Sequence, residues 1–128
     1  MFYCYVTGKE NLIDYDLARE KLDKILKKQN DVTFILGGES NFTQIIRKYA
    51  AKKGFPVFVY EKEDEENLEI QEFISRFKKR GVVAFIDKDN AEITRKYIEA
   101  AERYTNPIKI VKINAKKETD TNEQNSKF

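Results

Sequence analysis

The chain has no histidine and only one cysteine among its 128 residues. Without histidine, a serine-type triad, most zinc sites and the commonest general base in proteins are excluded. Any chemistry must therefore use carboxylates, lysines, tyrosines, hydroxyl groups or groups of the ligand itself. Cys4 has no second cysteine to pair with and lies between Tyr3 and Tyr5 in a predicted buried strand, so we expect an inert, packed thiol.

Long hydrophobic runs are also missing. No apolar segment approaches the roughly 20 residues that cross a membrane, and the opening "MFYCYV" is too short and lacks the basic start of a signal peptide. We therefore expect a cytoplasmic protein with no membrane partner. With 41% hydrophobic and 36% charged residues the chain suits one globular domain rather than a disordered segment.

Short apolar, β-rich runs alternate with stretches whose apolar residues recur at helical spacing. The predicted strands are Phe2–Thr7, Val32–Leu36, Pro56–Tyr60, Val82–Ile86 and Ile108–Ile113. The predicted helices lie within Asp14–Lys28, along the apolar stripe from Phe42 to Ala50, from Ile70 to a point near Arg80, and along Ile93–Tyr104. The predicted element order is βαβαβαβαβ.

Strands separated by helices of this length pair in parallel, because a parallel connection requires a crossover. The pattern predicts a Rossmann-like three-layer α/β sandwich with a five-stranded, mainly parallel sheet. We assign residues 1–114 to this single domain. Residues 115–128, "AKKETDTNEQNSKF", have no periodicity and are predicted to form a disordered polar tail.

In open parallel sheets, ligands bind outside the carboxyl ends of the strands, where the strand order reverses. Three loops follow such ends: Thr7–Asn11, Gly37–Asn41 and Asp87–Asn90. A glycine pair before a helix lets backbone amides approach an anion, and the start of a helix carries about half a positive charge. The pair Gly37 and Gly38 therefore suits a phosphate or a carboxylate.

Simpler structural roles compete with this interpretation. Two glycines also make a tight turn, and Asn41 with Gln44 resembles a capping box, as does Asp89 with Glu92. Neither the dinucleotide pattern GxGxxG nor the phosphate-loop pattern GxxxxGK[ST] is present. An ordinary Rossmann dehydrogenase or phosphate-loop NTPase is therefore disfavoured, and no cofactor is expected.

Three segments resemble the SLOG superfamily, which includes the cytokinin-activating LOG proteins and the DprA core. Val6, Thr7 and Gly8 match a strand ending in a TGSR-like turn. Gly37 and Gly38 match the start of a GGARGAD-like turn, and "GFPVFVY" matches a GIPV-like strand. Within the superfamily the chain is most similar to the small bacterial and phage group called YAcAr. The resemblance implies a Rossmann-like fold and a pocket for a nucleotide or a nucleotide derivative.

The chain departs from that pattern at positions that matter for catalysis. Lys9 and Glu10 stand where the group has Ser-Arg, and residues 39–43 replace Ala-Arg-Gly-Ala-Asp. The glycine-rich PGGxGT turn of LOG enzymes, with its nearby catalytic Glu, is replaced by Asp87–Asn90. The catalytic Arg and Glu of these hydrolases have no counterpart here, which weakens the case for phosphoribohydrolase chemistry.

The charge distribution favours neither nucleic acid nor a metal. The net charge is only +2, and the basic clusters fall at predicted helix C-termini, where cations complement the helix dipole. These clusters are Lys27 and Lys28, Lys52 and Lys53, and Lys78 to Arg80. The acidic run Glu61–Glu69 contains oxygen ligands suited to Mg²⁺ or Ca²⁺ but matches no EF-hand loop, so a solvated loop is predicted.

Three functions remain open, and we favour the first. A nucleotide-binding module would sense or sequester a phosphate-bearing ligand. A nucleotide N-glycosidic hydrolase would need a carboxylate, for which Glu39 and Asp87 are the candidates. A partner-binding protein with a decayed pocket would use an apolar helix face to form a homodimer or higher homo-oligomer. The predicted ligand-binding residues are Thr7, Gly8, Lys9, Gly37, Gly38, Glu39, Ser40, Asn41, Thr43 and Asp87.

Overall fold

A computed structural model of the chain describes residues 1–8, 13–38, 40–60 and 68–114. In these ranges strands and helices alternate as predicted. The elements are β1 (Phe2–Gly8), α1 (Tyr15–Ile25), β2 (Val32–Gly37), α2 (Asn41–Lys53), β3 (Val57–Tyr60), α3 (Leu68–Ile74), β4 (Arg80–Asp87), α4 (Ala91–Arg103) and β5 (Ile108–Ile113). Lys9, Glu39, most of the acidic run and the predicted tail at 115–128 lie outside the described residues.

The strands form one sheet in the order β3-β2-β1-β4-β5. Every neighbouring pair is parallel, as the helical crossovers require. The chain first moves outward from β1 to β3 and then returns to place β4 on the other side of β1. The strand order therefore reverses between β1 and β4, which fixes where a doubly wound fold opens a crevice.

The helices cover both faces of this sheet. Residues of α1 and α2 pack with one set of strand side chains, and residues of α3 pack with the alternate set. Successive side chains of a strand point to opposite faces, so Cys4 and Val6 lie on the α1/α2 face whereas Tyr5 lies on the α3 face. The predicted three-layer α/β sandwich is confirmed. Among the described residues, no helix has the length and apolar character to cross a membrane.

The single cysteine is part of the larger core cluster. Cys4 is fully buried, and this burial raises the pKa of its thiol to about 12. A thiol with such a pKa is almost entirely protonated at neutral pH and is a poor nucleophile. The predicted burial of this cysteine is confirmed, and its burial supports the prediction that the thiol is inert.

Helix α3 ends at Ile74, earlier than the predicted end near Arg80. The apolar spacing continues to Phe77, but that ring stacks on Tyr3 of β1 from the turn after the helix, with 3.8 Å between centroids. Arg80 is instead the first residue of β4, and its guanidinium donates to Asn106 Oδ1 at 2.6 Å. Asn106 donates in turn to the buried side chain of Gln71, at 2.9 Å. Residues after Ile74 thus make contacts with distant parts of the chain instead of continuing the helix.

A part-buried polar contact joins helices α1 and α2. Tyr49 donates to Asp23 Oδ1 at 2.8 Å, and Lys53 Nζ lies 3.1 Å from the same oxygen. The Tyr49 hydrogen bond, more than the lysine, lowers the pKa of the Asp23 carboxyl. Burial, followed by the contact with Asp23, raises the pKa of the Tyr49 hydroxyl. This contact fixes α2 relative to α1 and so helps to position the start of α2 over the sheet.

Candidate site at the carboxyl edge of the sheet

The ends of β2, β1 and β4 lie side by side at one edge of the sheet. Neighbouring strands are about 4.8 Å apart, so the three ends span a region suited to a small molecule. Gly8 pairs with Phe85, and β4 continues past it to Asp87. The described members of the predicted site therefore share this edge. Lys9 and Glu39, the other two predicted members, lie outside the described residues.

Gly38 serves to turn the chain. Its φ of 68° lies in the left-handed region that favours glycine. Its N–H donates to the carbonyl of Tyr60 at 2.9 Å, which extends the pairing of β2 with β3. That amide is already occupied, so it is not available to an anion. The conformation of Gly38 thus explains the turn, and an anion at this turn would need other donors or cations.

Ser40 is the N-cap of α2. Its backbone is extended, with φ −155° and ψ 170°, and its Oγ accepts from the Thr43 N–H at 3.1 Å. The Ser40 hydroxyl donates to Thr43 Oγ1 at 3.2 Å, and Thr43 Oγ1 lies 3.5 Å from the Gly37 carbonyl. The predicted capping box starting at Asn41 is wrong by one residue, because Asn41 is already the first residue of the helix.

Two amides of α2 lie ahead of the capped one. The N–H groups of Asn41 and Phe42 occupy the first two helical positions, for which an α-helix offers no carbonyl partner. They sit at the positive end of the helix dipole, directly after the end of β2. In this part of the structure they are the donors best placed for a phosphate. The binding role of the turn stays a prediction; within it, the Gly38 amide is already hydrogen-bonded, whereas the first two amides of α2 have no carbonyl partner within the helix.

The Phe42 side chain forms an apolar floor beside this helix start. It is 3% exposed, and its ring centroid lies 5.7 Å from that of Phe85 on β4. A Cβ added at Gly8 would lie only 2.5 Å from the Phe42 ring. Packing against an aromatic ring is therefore enough to explain why position 8 is glycine. Sequence reasoning placed Phe42 in the apolar stripe of α2 but not at the site.

The β4–α4 connection is held by its own side chains. Asp87 Oδ1 accepts from the Asp89 N–H at 3.1 Å, and Asn90 Oδ1 accepts from the Ile93 N–H at 3.0 Å. Asn90 is therefore the N-cap of α4, and the predicted capping role of Asp89 is wrong. Asp87 itself is half-buried at the end of β4, next to the point where the strand order reverses.

The described part of this edge is acidic rather than basic. Asp14, Asp87, Asp89 and Glu92 lie at the ends of strands or the starts of helices, with Lys88 and Lys112 as nearby cations. No group of three or more metal-ligating side chains occurs in the described ranges. An anion at this edge would consequently depend on helix amides, whereas the carboxylates suit hydroxyl or amino groups of a ligand.

Comparison with known proteins agrees with this architecture. Residues 5–64 match the model of the family described as "YAcAr: YspA, cpYpsA-related SLOG family". The match runs from Tyr5, within β1, to a point beyond β3 and therefore includes the Gly8 and Gly37 turns. It supports membership of the SLOG superfamily and confirms the resemblance predicted from the sequence. No significant match was found among curated proteins or among solved structures.

Proposed function

We propose that this chain, as a protein of the SLOG superfamily, binds a nucleotide or nucleotide derivative at the carboxyl edge, and acts as a module that senses or sequesters it. One observation carries the proposal. The start of α2 lies beside the β1–β4 boundary, where a doubly wound sheet opens its crevice. A helix N-terminus at such a crevice suits a phosphate group.

In this proposal, donors would hold the phosphate of the ligand and an acceptor would hold its hydroxyl or amino groups. The amides of Asn41 and Phe42 would bind phosphate oxygens, and Lys9 would add a positive charge. The Asp87 carboxylate would accept hydrogen bonds from ribose hydroxyls or from an amino group of the base. Ser40 and Thr43 would act indirectly, because their hydroxyl groups hold the helix start in place.

Thermal unfolding with a panel of nucleoside phosphates, cyclic nucleotides and ADP-ribose tests this proposal. A ligand at 100 times its Kd adds about 2.7 kcal/mol to the free energy of unfolding, and a domain of this size shifts its Tm by about 4 °C per kcal/mol. An increase of about 10 °C is therefore expected at that saturation. If no member of the panel raises the Tm, the nucleotide proposal is wrong and a decayed pocket is favoured.

One substitution tests the role of the helix amides directly. Asn41→Pro removes the amide at the first helical position, where proline is well tolerated. The extended backbone of Ser40 also suits a residue that precedes proline. We expect Asn41→Pro to weaken binding about tenfold, the value of a strong charge-assisted hydrogen bond, while the matched variant Asn41→Ala keeps the amide and the affinity. Equal affinities of the two variants would exclude this amide from the site.

The position of Asp87 is also compatible with one enzymatic activity, the hydrolysis of an N-glycosidic bond. Cleavage of an N-glycosidic bond requires a carboxylate to stabilise an oxocarbenium-like transition state, and Asp87 ends its strand at the candidate site. Release of free base from the bound nucleotide, measured by chromatography, would indicate hydrolysis. In that case Asp87→Asn or Glu39→Gln should stop turnover while binding persists.

A further inference from the structure

We propose that the opposite edge of the sheet is a docking surface for an acidic segment of another protein, and that this segment places one bulky apolar side chain in a cavity there. The proposed partner is a polypeptide with acidic residues on both sides of a large apolar residue. This surface is separate from the nucleotide site, because the two lie at opposite ends of the strands.

The basic edge is formed where the helices end and the strands begin. All four connections from a helix to the next strand lie there, together with the last turns of the helices. Exposed cations in these segments are Lys24, Lys27, Lys28, Lys52, Lys53, Arg76, Lys78, Lys79 and Arg103. The acidic side chains of the same segments are fewer: Asp23, Asp31, Glu72 and Glu102. Asp23 pairs with Lys53, Asp31 lies 3.5 Å from the Met1 amino group, and Lys24 pairs with Glu20 from the preceding turn of α1. The cations outnumber the carboxylates, so the edge is positive, although the whole chain carries only +2.

Helix dipoles do not account for all of these cations. The benefit of a cation near a helix end falls off beyond the last turn. Helix α3 ends at Ile74, so Lys78 and Lys79 lie beyond that range. The sequence prediction of a helix reaching Arg80 would have explained both lysines as dipole partners, and the observed helix removes that explanation.

A cavity of about 300 Å³ lies at the same edge. It is bounded by the end of α1 and the starts of β1, β4 and β5, on the α1/α2 face of the sheet. Its lining is mainly apolar and includes Phe2, Cys4, Ile25, Leu26, Val83 and Pro107. This volume is enough for a large aliphatic or aromatic side chain. An apolar cavity that opens to solvent is a typical anchor site for a single buried residue of a partner.

Cations stand beside the cavity. Lys109 lines it, and Lys27 and Lys28 follow directly after the lining residue Leu26. A segment that puts an apolar side chain in the cavity would therefore place its flanking residues among exposed lysines. Acidic residues at these flanking positions of the partner would pair with the lysines. The acidic carboxyl edge at the other end of the strands would repel the partner and so direct it to the basic edge.

The cavity favours a polypeptide over a nucleic acid. Sequence-independent binding of single strands uses exposed aromatic platforms on which bases stack, combined with a basic groove. Here the cavity walls are mostly aliphatic, and its aromatic member Phe2 is half-buried. Such walls accept a side chain more readily than they stack a base.

The test uses the full chain and fluorescein-labelled peptides in fluorescence anisotropy at low salt. The probe is a 12-residue peptide of Asp and Glu with one central Trp, and its companion has Ala at that position. We expect the Trp peptide to bind about tenfold more tightly than the Ala peptide, because it buries a large apolar side chain in the cavity. Binding should weaken as salt is added, because exposed charges are screened.

A charge-matched pair of variants locates the surface. Lys27→Glu with Lys28→Glu reverses two cations beside the cavity, and we expect about tenfold weaker binding. Lys88→Glu with Lys112→Glu makes the same change in net charge at the carboxyl edge and should leave the affinity within about twofold. Unfolding curves of both variants confirm that each is folded, and nucleotide affinity should be unaffected by the first pair.

Several results would overturn the proposal. These are no peptide binding, equal affinity of the Trp and Ala peptides, or equal weakening by both variant pairs. Tighter binding of a single-stranded oligonucleotide of equal charge would identify a nucleic-acid surface instead. Self-association that depends on protein concentration and is lost in the Lys27 and Lys28 variant would indicate a second copy of this chain. Because none of these results measures nucleotide binding, the docking proposal can fail while the nucleotide proposal stands.

Discussion

Gly8→Ala should destabilise the protein through one defined clash. The added Cβ would lie 2.5, 2.7 and 2.9 Å from three atoms of the Phe42 ring, all closer than non-bonded carbon atoms approach one another. The ring has little room to withdraw, because Phe42 is 3% exposed and packs against Phe85. Inserting a methyl group into such packing costs about 1 to 3 kcal/mol.

The expected net effect is smaller than the clash alone. Replacing glycine by alanine within a strand otherwise stabilises by about 0.5 to 1 kcal/mol, so we expect a net loss of about 1 to 2 kcal/mol. At about 4 °C per kcal/mol, the Tm should fall by about 4 to 8 °C. Calorimetry or urea unfolding of the purified variant measures this loss.

A double-mutant cycle identifies the cause. In a Phe42→Leu background the ring is gone, so adding Gly8→Ala should cost nothing or should stabilise slightly. The coupling free energy is then about 1 to 2 kcal/mol, in the range found for residues in direct contact. Equal effects of Gly8→Ala in both backgrounds, or a higher Tm in the wild-type background, would refute the packing explanation for this glycine.

Three further predictions concern hydrogen bonds away from that clash. Tyr49→Phe removes the donor to Asp23 and should cost about 1 kcal/mol at pH 7. The pKa of Tyr49 is higher in the folded than in the unfolded state, so above about pH 10 the unfolded state loses this proton first and wild-type stability should decline. Unfolding curves of Tyr49→Phe should lack this part of the decline. Ser40→Ala should lose about 1 kcal/mol as a cap is removed, whereas Asn41→Ala should change stability by less than about 0.5 kcal/mol. A larger loss of stability in Asn41→Ala than in Ser40→Ala would indicate that Asn41 is the cap, as the sequence predicted. Asn106→Leu removes the donor to the buried side-chain amide of Gln71 in α3. The free energy of unfolding, measured in urea, should fall by about 2 kcal/mol. An unchanged midpoint would mean that solvent replaces the lost contact.

Most of the fold was predictable because it depends on short-range pattern. Alternation of apolar runs with helical stripes located all the described strands and helices, and helical crossovers required parallel pairing. Boundaries were less accurate where competing contacts decide them. The end of α3 is one case, because Phe77 stacks on a residue far away in sequence. The two caps are another, since several neighbouring polar residues can each accept a helix amide and backbone geometry selects among them.

The sequence by itself determined the α/β class, the inert cysteine, the absence of histidine chemistry and the resemblance to the SLOG superfamily. It also located the turn at Gly37 and Gly38. Only the tertiary structure decided which backbone groups near that turn already have hydrogen-bond or packing partners. Gly38 donates to Tyr60 because β3 lies beside β2, and Gly8 faces Phe42 because α2 crosses the end of β1. Both contacts join residues that are distant in the chain. The local sequence pattern cannot predict these contacts, because they form only when strand order and helix packing bring the two partners together.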